Sequence, residues 1–261
     1  MKPNADVISS LGHHAAKYTP CEADAPATLG TAFEASPLSL AQRLQAFPRH
    51  SRRQDIARFL AKYELFKLCV GVHGSVAECG VFTDTGLLAW MHFSTILEPY
   101  NHTRRIIGFD TFAGFPAVSG KDLDQGNSEH LHAGAFGTHP GIREEIEAFV
   151  AIHDQNRPLG HIPKVELVAG NACETIPHYV ETHPHVIISL LYLDFDIYEP
   201  TKAALQNLYP RVVKGGIVAF DELNCAEFPG ETVAMLESLG PDLPELRRFS
   251  FDPYISYLVR S

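Results

Sequence analysis

Two rhythms of apolar and polar positions take turns along most of this chain. Residues 51–68 carry Ile56, Phe59, Leu60, Tyr63, Phe66 and Leu68, mostly at helical spacing. Ser51-Arg52-Arg53-Gln54 precedes them with capping-box spacing and predicts where that helix opens. Beyond it, short strands are predicted at 75–79, 105–109, 164–168, 186–193 and 217–220. Helices are predicted between and after them at 85–97, 140–154, 173–182, 200–208 and 231–239. The run at 186–193 is continuously apolar rather than alternating, as expected of a strand buried on both faces. The tail, 248–251 and 255–259, reads as a closing hairpin. Strands alternating with helices predict an α/β fold around a mostly parallel sheet, with an antiparallel end.

Two stretches break the rhythm. Residues 1 to about 35 are rich in Ala, Pro, Thr and Ser without sustained periodicity and are expected to form a poorly ordered arm or a segment ordered by a partner subunit. Ser36-Pro37 is a plausible helix start after it. Residues 111–138 hold five glycines and few periodic apolar positions, which predicts a lid, a binding loop or a disordered segment. The resulting division is an N-terminal arm and helical cap over 1–70 and a catalytic domain over 71–261.

Composition narrows the function more than the fold. Lys and Arg number 21 against 31 Asp and Glu, a net charge of −10. That balance argues against nucleic-acid binding, which rests on neutralising phosphates. Five scattered cysteines with no C-x-x-C pair predict neither a disulfide framework nor a zinc knuckle, and point to a reducing cytoplasm. The start, MKPNADVISSLGHH, lacks a secretory pattern, and no apolar run is long enough to span a bilayer.

The chemistry gathers at strand ends. Leu193-Asp194-Phe195-Asp196-Ile197-Tyr198-Glu199 and Phe220-Asp221-Glu222 each close an apolar run. In a parallel sheet both reach the carboxyl edge, where open α/β sheets bind ligands. Carboxylate oxygens suit a hard divalent cation such as Mg²⁺, so Asp194, Asp221 and Glu222 are candidate metal ligands. Asp196 and Glu199 are expected instead to organise the entry of the next helix. Glu78-Cys79-Gly80-Val81-Phe82-Thr83-Asp84 follows the first strand: Gly80 allows a tight turn beside a ligand, and the helix start offers unpaired N–H groups. Asp110, ending the next strand, is placed to accept from ribose hydroxyls. The G-x-G-x-x-G phosphate fingerprint is missing, and Glu78 and Asp84 would repel a pyrophosphate. A cationic, phosphate-free cofactor, S-adenosylmethionine, fits that turn better than NAD. In the lid, His130 or His132 is a candidate base. His73, His92, His153, His161, His178, His183 and His185 read as structural or surface residues, and Trp90 as packing of the first helix after the first strand.

Taken together these stretches resemble the macrocin O-methyltransferase (TylF-like) family of class I methyltransferases, which act on deoxysugars of natural products. The resemblance runs over about residues 50–240. It is carried by Glu78–Thr85, by Phe109-Asp110-Thr111-Phe112-Ala113-Gly114-Phe115-Pro116, by 193–201, and by Leu208-Tyr209-Pro210 through Gly215-Gly216 to Asp221-Glu222. Two positions depart from the pattern: Asp84-Thr85 replaces Gly-Gly, and Glu222 replaces an Asp. The resemblance implies a Rossmann-like sheet and a cofactor site built from Glu78, Cys79, Gly80, Val81, Thr85, Asp110, Thr111, Phe112, Gly170, Asn171, Ala172 and Asp194. It implies O-methylation of a sugar hydroxyl with S-adenosylmethionine and Mg²⁺ in antibiotic biosynthesis, with Asp194 or a lid histidine removing the proton. A cytoplasmic homo-oligomer acting on a small sugar acceptor, with no nucleic acid or membrane partner, completes the expectation. A catechol-type metal-dependent O-methyltransferase is the nearest rival. Such enzymes typically carry a lysine just after the acids, where Ile197-Tyr198-Glu199 stands here. A nicotinamide oxidoreductase, disfavoured by the missing phosphate glycines, and a non-catalytic binding protein are more distant rivals.

Overall fold

The computed structural model describes residues 19–124, 126, 128–240 and 243–261. The chain divides into two compact units, Met1–Leu60 and Ala61–Ser261. The described part of the first holds two α-helices, α1 (Pro20–Glu34) and α2 (Leu40–Gln45), a 3-10 turn (Phe47–Arg49) and the beginning of α3 (Arg53–Cys69). Of the segment expected to be disordered, residues 1–18 lie outside the described residues and 20–34 are helical. Thr19 caps α1 in a reciprocal capping box with Glu22, and Pro20 occupies its first turn. The helix start expected at Ser36-Pro37 falls later, where Ser39 caps α2 with Gln42. Nor does Ser51 cap α3. Asp55 reaches back to the Arg52 N–H, while the Ser51 hydroxyl donates to the Phe47 carbonyl.

In the second unit a seven-stranded sheet runs in the order β3-β2-β1-β4-β5-β7-β6. Its parallel strands are β1 (Ser75–Cys79), β2 (Ile106–Asp110), β3 (Val165–Ala169), β4 (Ile188–Leu193) and β5 (Val212–Phe220). The predicted antiparallel end is present: β7 (Ser256–Val259) pairs antiparallel with β5, and the two-residue β6 (Arg247–Arg248) with β7. Helices α4 (Thr85–Leu97), α6 (Ile142–Asp154), α7 (Ala172–Thr182), α8 (Tyr198–Asn207) and α9 (Pro229–Leu239) follow β1, the lid, β3, β4 and β5. The short α5 (Gly120–Leu123) lies within the lid.

The central strands are buried on both faces, and their period of two sorts the core into two layers. Cys79, Phe109, Leu191, Leu193, Val218 and Phe220 pack with α7, α8 and α9. Val76, Ile106, Leu190, Tyr192, Ile217 and Ala219 pack with α3, α4 and α6. The buried stripe of α3 is Ala61, Lys62, Leu65, Phe66 and Cys69, whereas Phe59, Leu60 and Leu68 are exposed. The expected apolar face is thus rotated, because a lysine is among the residues that point inward.

Candidate active site

The register Cys79↔Leu193↔Phe220 brings the ends of β1, β4 and β5 level. Asp194 and Asp221 each continue a strand by one residue, and their N–H groups extend the ladder to the Cys79 and Leu193 carbonyls at 2.8 and 2.9 Å. Gly80 sits against this junction: a Cβ there would overlap the Asp194 carbonyl, and its φ of +97° suits glycine. Its role in the structure is therefore to let β1 and β4 close together at the edge.

Strained backbone marks the same edge. Among the described residues seven non-glycine positions have positive φ: Phe82, Asp84, Phe112, Phe136, Leu159, Asp196 and Asn224. All but Leu159 lie in segments leaving the carboxyl ends of β1, β2, β4 and β5. Such conformations persist where surroundings over-determine them, and they gather at functional sites.

On the cofactor side, Asp110 ties two loops together. Its Oδ2 accepts from the Val81 and Phe82 N–H at 2.7 and 2.8 Å, and its Oδ1 from Phe112 N–H at 2.7 Å. The expected ribose acceptor is therefore first a loop organiser; of about four acceptor directions on a carboxylate, one remains. Thr111 turns its hydroxyl to the Gly114 carbonyl. Asn171 caps α7 by accepting from Cys173 N–H, with Ala172 buried behind it and the Gly170 N–H bound to the Asp110 carbonyl. Thr85 is exposed at the first turn of α4. Two residues expected at the cofactor face inward instead. The Cys79 thiol is buried in the core, and burial pushes it well above its ordinary range. The Glu78 carboxyl, pushed up by burial and pulled back by Lys62, pairs with Lys62 Nζ at 3.1 Å.

On the acid side, Asp221 and Glu222 are buried, and Asp194 and Asp196 half-buried. Tyr192 donates its hydroxyl to Asp221 Oδ1. The structure adds a fifth acid that the pattern did not reveal. Glu231, in the first turn of α9, is wholly buried, and its Oε1 accepts from the Glu222 N–H at 3.4 Å. Burial pushes its carboxyl well above the usual range, and Asp221, Asp196, Asp194 and Glu222 add to the shift. Its Oε2 has no hydrogen-bond partner. An orphaned buried oxygen among hard oxygen donors fits a cation chemically, though among the described residues no three His, Cys, Asp or Glu side chains stand ready to hold a metal ion.

The helix entry after Asp194 is organised differently from expectation. Ile197 at the α8 N-cap makes no side-chain cap bond, Asp196 is left-handed and Glu199 is exposed. The cap comes from the lid: buried Asp122 accepts from Tyr198 N–H at 2.8 Å and from Ser119 N–H at 2.9 Å. In the lid, Asn127 lies outside the described residues. The His130 ring lies tilted against Phe136, centroids 5.1 Å apart, and Phe136 also meets Phe82, Phe115 and Phe228. His132 is exposed, with Nδ1 3.0 Å from the Ala133 carbonyl. Among the described residues neither histidine hydrogen-bonds to the acid cluster. No described helix is long and apolar enough to cross a membrane.

The strand order and the antiparallel end define a protein of the class I methyltransferase fold. Within that class the chain belongs to the macrocin O-methyltransferase (TylF) family, whose model matches residues 67–236. A relative from Streptomyces olivaceus, an 8-demethyl-8-(2,3-dimethoxy-alpha-L-rhamnosyl)-tetracenomycin-C 4'-O-methyltransferase, is 30% identical over 159 residues. That match covers 59% of this chain, which spans about half (55%) of the relative's length. The crystal structure of the calicheamicin methyltransferase CalS11 superposes with a TM-score of 0.88 at 33% identity, covering 93% of each chain. The apo structure of the same protein, described as a TDP-rhamnose 3'-O-methyltransferase, gives 0.80 at 32%, covering 93% of this chain and 95% of that one.

Proposed function

We propose that this protein transfers a methyl group from S-adenosylmethionine to a hydroxyl of a deoxysugar of the rhamnose class during antibiotic biosynthesis. The observation that carries the reading is the junction of Asp194 with Asp221 at the strand edge, beside the loops that Asp110 ties together. Likeness to CalS11 over 93% of both chains supports the sugar as acceptor. S-adenosylmethionine, when bound, supplies an electrophilic methyl on a sulfonium. Asp110 ties the loop from β1 to the start of the lid and so fixes the Gly80 turn beside the cofactor. Gly170, Asn171 and Ala172, after β3, would lie near the adenine.

A sugar hydroxyl is a poor nucleophile at neutral pH. Asp194 takes its proton as the oxygen approaches the methyl carbon, a role for a positioned carboxylate at the site edge. Asp194, Asp221 and Glu222 would hold a divalent cation, which when bound favours the alkoxide over the alcohol. Glu222 replaces an aspartate of the family pattern, and its longer side chain still offers a hard oxygen donor. The lid covers the acceptor. His130, set among aromatic rings, is the lid histidine better placed to meet a sugar face than exposed His132. Alignment of the reacting atoms and exclusion of water supply the rest of the acceleration. Self-association belongs to the same reading and is placed on the N-terminal unit, where Leu40, Leu44 and Phe47 are exposed; light scattering tests it.

The test is methyl transfer from labelled S-adenosylmethionine to nucleoside diphosphate-rhamnose, to a rhamnosylated aromatic aglycone and to catechol, with Mg²⁺ or with EDTA. Label in the sugar, lost on chelation, is the expected result. Label on catechol alone, or on none of these acceptors, sinks the proposal.

A further inference from the structure

Beneath the acid cluster, on the sheet face packed by α3 and α4, lies a line of side chains that methyl transfer does not itself require. Lys62 enters from α3 and is buried; its Nζ lies 3.1 Å from Glu78 Oε1. The same ammonium stands 4.1 Å from the centroid of the Tyr192 ring and 5.4 Å from that of Trp90. Glu78 and Tyr192 are paired across β1 and β4, so one lysine reaches both. The Tyr192 hydroxyl then donates to Asp221 Oδ1. Room for the line is left by Gly86 at the start of α4, where a Cβ would overlap both the Glu78 carboxylate and the Lys62 ammonium.

A packing role alone does not account for this choice of residues. An apolar side chain of similar length would fill the place of Lys62 without the desolvation cost of a buried ammonium. What a cation over a phenol face adds is polarisation: it draws electron density from the ring and makes the hydroxyl a stronger donor. The hydroxyl in question holds a carboxylate of the site. We propose that Tyr192 is a positioning residue for Asp221, fixing the carboxylate through Oδ1, and that the buried Lys62–Glu78 pair acts on the reaction through Tyr192. The inference rests on the proposed methyl transfer at Asp194 and Asp221.

Tyr192→Phe removes one oxygen. It is expected to lower kcat about tenfold, the effect of losing a hydrogen bond to a charged group, with KM for S-adenosylmethionine within about twofold. Binding of Mn²⁺, followed by loss of the free-ion EPR signal, is expected to weaken several-fold. Because Lys62→Met alone would strand Glu78, the second variant is Lys62→Met with Glu78→Gln, which removes both charges together. It is expected to match Tyr192→Phe, and the triple variant to be no worse than Tyr192→Phe, since the pair acts through that hydroxyl. Tyr179→Phe, which deletes a hydroxyl bonded to Glu166 elsewhere on the sheet, is the control and leaves kcat unchanged. Wild-type kcat in Tyr192→Phe, or losses that multiply in the triple variant, overturns the proposal. Wild-type protein runs in the same assay: if it methylates none of the sugars, the functional reading fails. In that case Mn²⁺ or S-adenosylhomocysteine binding still reports on the Tyr192 line.

Discussion

The two halves of the site, a few residues apart along the strand ends, are built on opposite principles. Around Asp110 the hydrogen bonds are made within the protein: three backbone N–H groups bind one carboxylate and fix two loops before any ligand arrives. Around Asp194 and Asp221, five carboxylates crowd together, one of them wholly buried with an orphaned oxygen. Lys62 reaches toward that crowd over the face of Tyr192. The first half is preorganised; the second holds unfavourable charge that a cation and an incoming proton would relieve. A cofactor can dock on a finished surface, whereas the reacting hydroxyl meets groups whose charge is not yet balanced. Electrostatic readiness of that kind is where rate acceleration is concentrated.

The largest expected effect breaks the comparison at its reactive half. Asp194→Asn should lower kcat by about 10²- to 10⁴-fold, the range for removing a general base, while calorimetry finds S-adenosylhomocysteine affinity within about threefold. If affinity and rate fall together, the halves are not separate. Asp110→Ala should do the reverse. Each of its three bonds is charge-assisted and worth about 1.5–3 kcal/mol, so S-adenosylhomocysteine binding should weaken at least tenfold and the melting temperature should fall.

Between these extremes lies the lid. Asp122 joins it to α8, and Gly230 leaves the space for that contact: a Cβ at Gly230 would overlap Asp122 Oδ1 and crowd the Tyr198 N–H. Asp122→Asn and Gly230→Ala attack one contact from its two sides. Both should raise the acceptor KM several-fold and speed hydrogen exchange in the lid, with less effect on S-adenosylhomocysteine binding. A raised KM in only one of the two would remove the shared latch from the explanation.

Strand ends were the legible part of this molecule. An apolar run followed by an acid announces both a buried strand and the side chain at its edge, which is why Asp194, Asp221 and Asp110 could be placed from sequence. Residues whose roles arise across elements gave no such signal. Lys62 and Tyr192 are single polar positions inside apolar patterns, and nothing local says that they meet. Glu231 at the start of a helix looks like an ordinary partner of the helix dipole. Asp122 caps a helix 76 positions away, so no capping box could reveal it. Local signals can also be outweighed: Thr19-Pro20-Cys21-Glu22 spells a capping box with proline in the first turn. It was hidden by a surrounding composition that reads as a disordered arm.

The smallest expected effect concerns an uncomfortable charge in the preorganised half. Asp84 occupies a left-handed position at the α4 N-cap, where the family pattern has glycine, and makes no cap bond. Burial first, and then Glu145, push its carboxyl up to about 6. An unfolded aspartate titrates near 3.9, so between about pH 4 and 6 the folded chain keeps a proton that the unfolded chain has released. The stability this confers is complete below about pH 4 and is lost as pH rises through about 6. Asn tolerates the left-handed region and carries no charge. Asp84→Asn should therefore melt about one or two degrees above wild type at pH 7.5, a small gap because the group is half exposed. The gap should close as pH is lowered to 4. Glu145→Gln, which removes only the lesser cause, should give part of the same gain. If the Asp84→Asn gap is instead constant with pH, the gain is one of backbone conformation, and the cofactor half carries no charge strain at all.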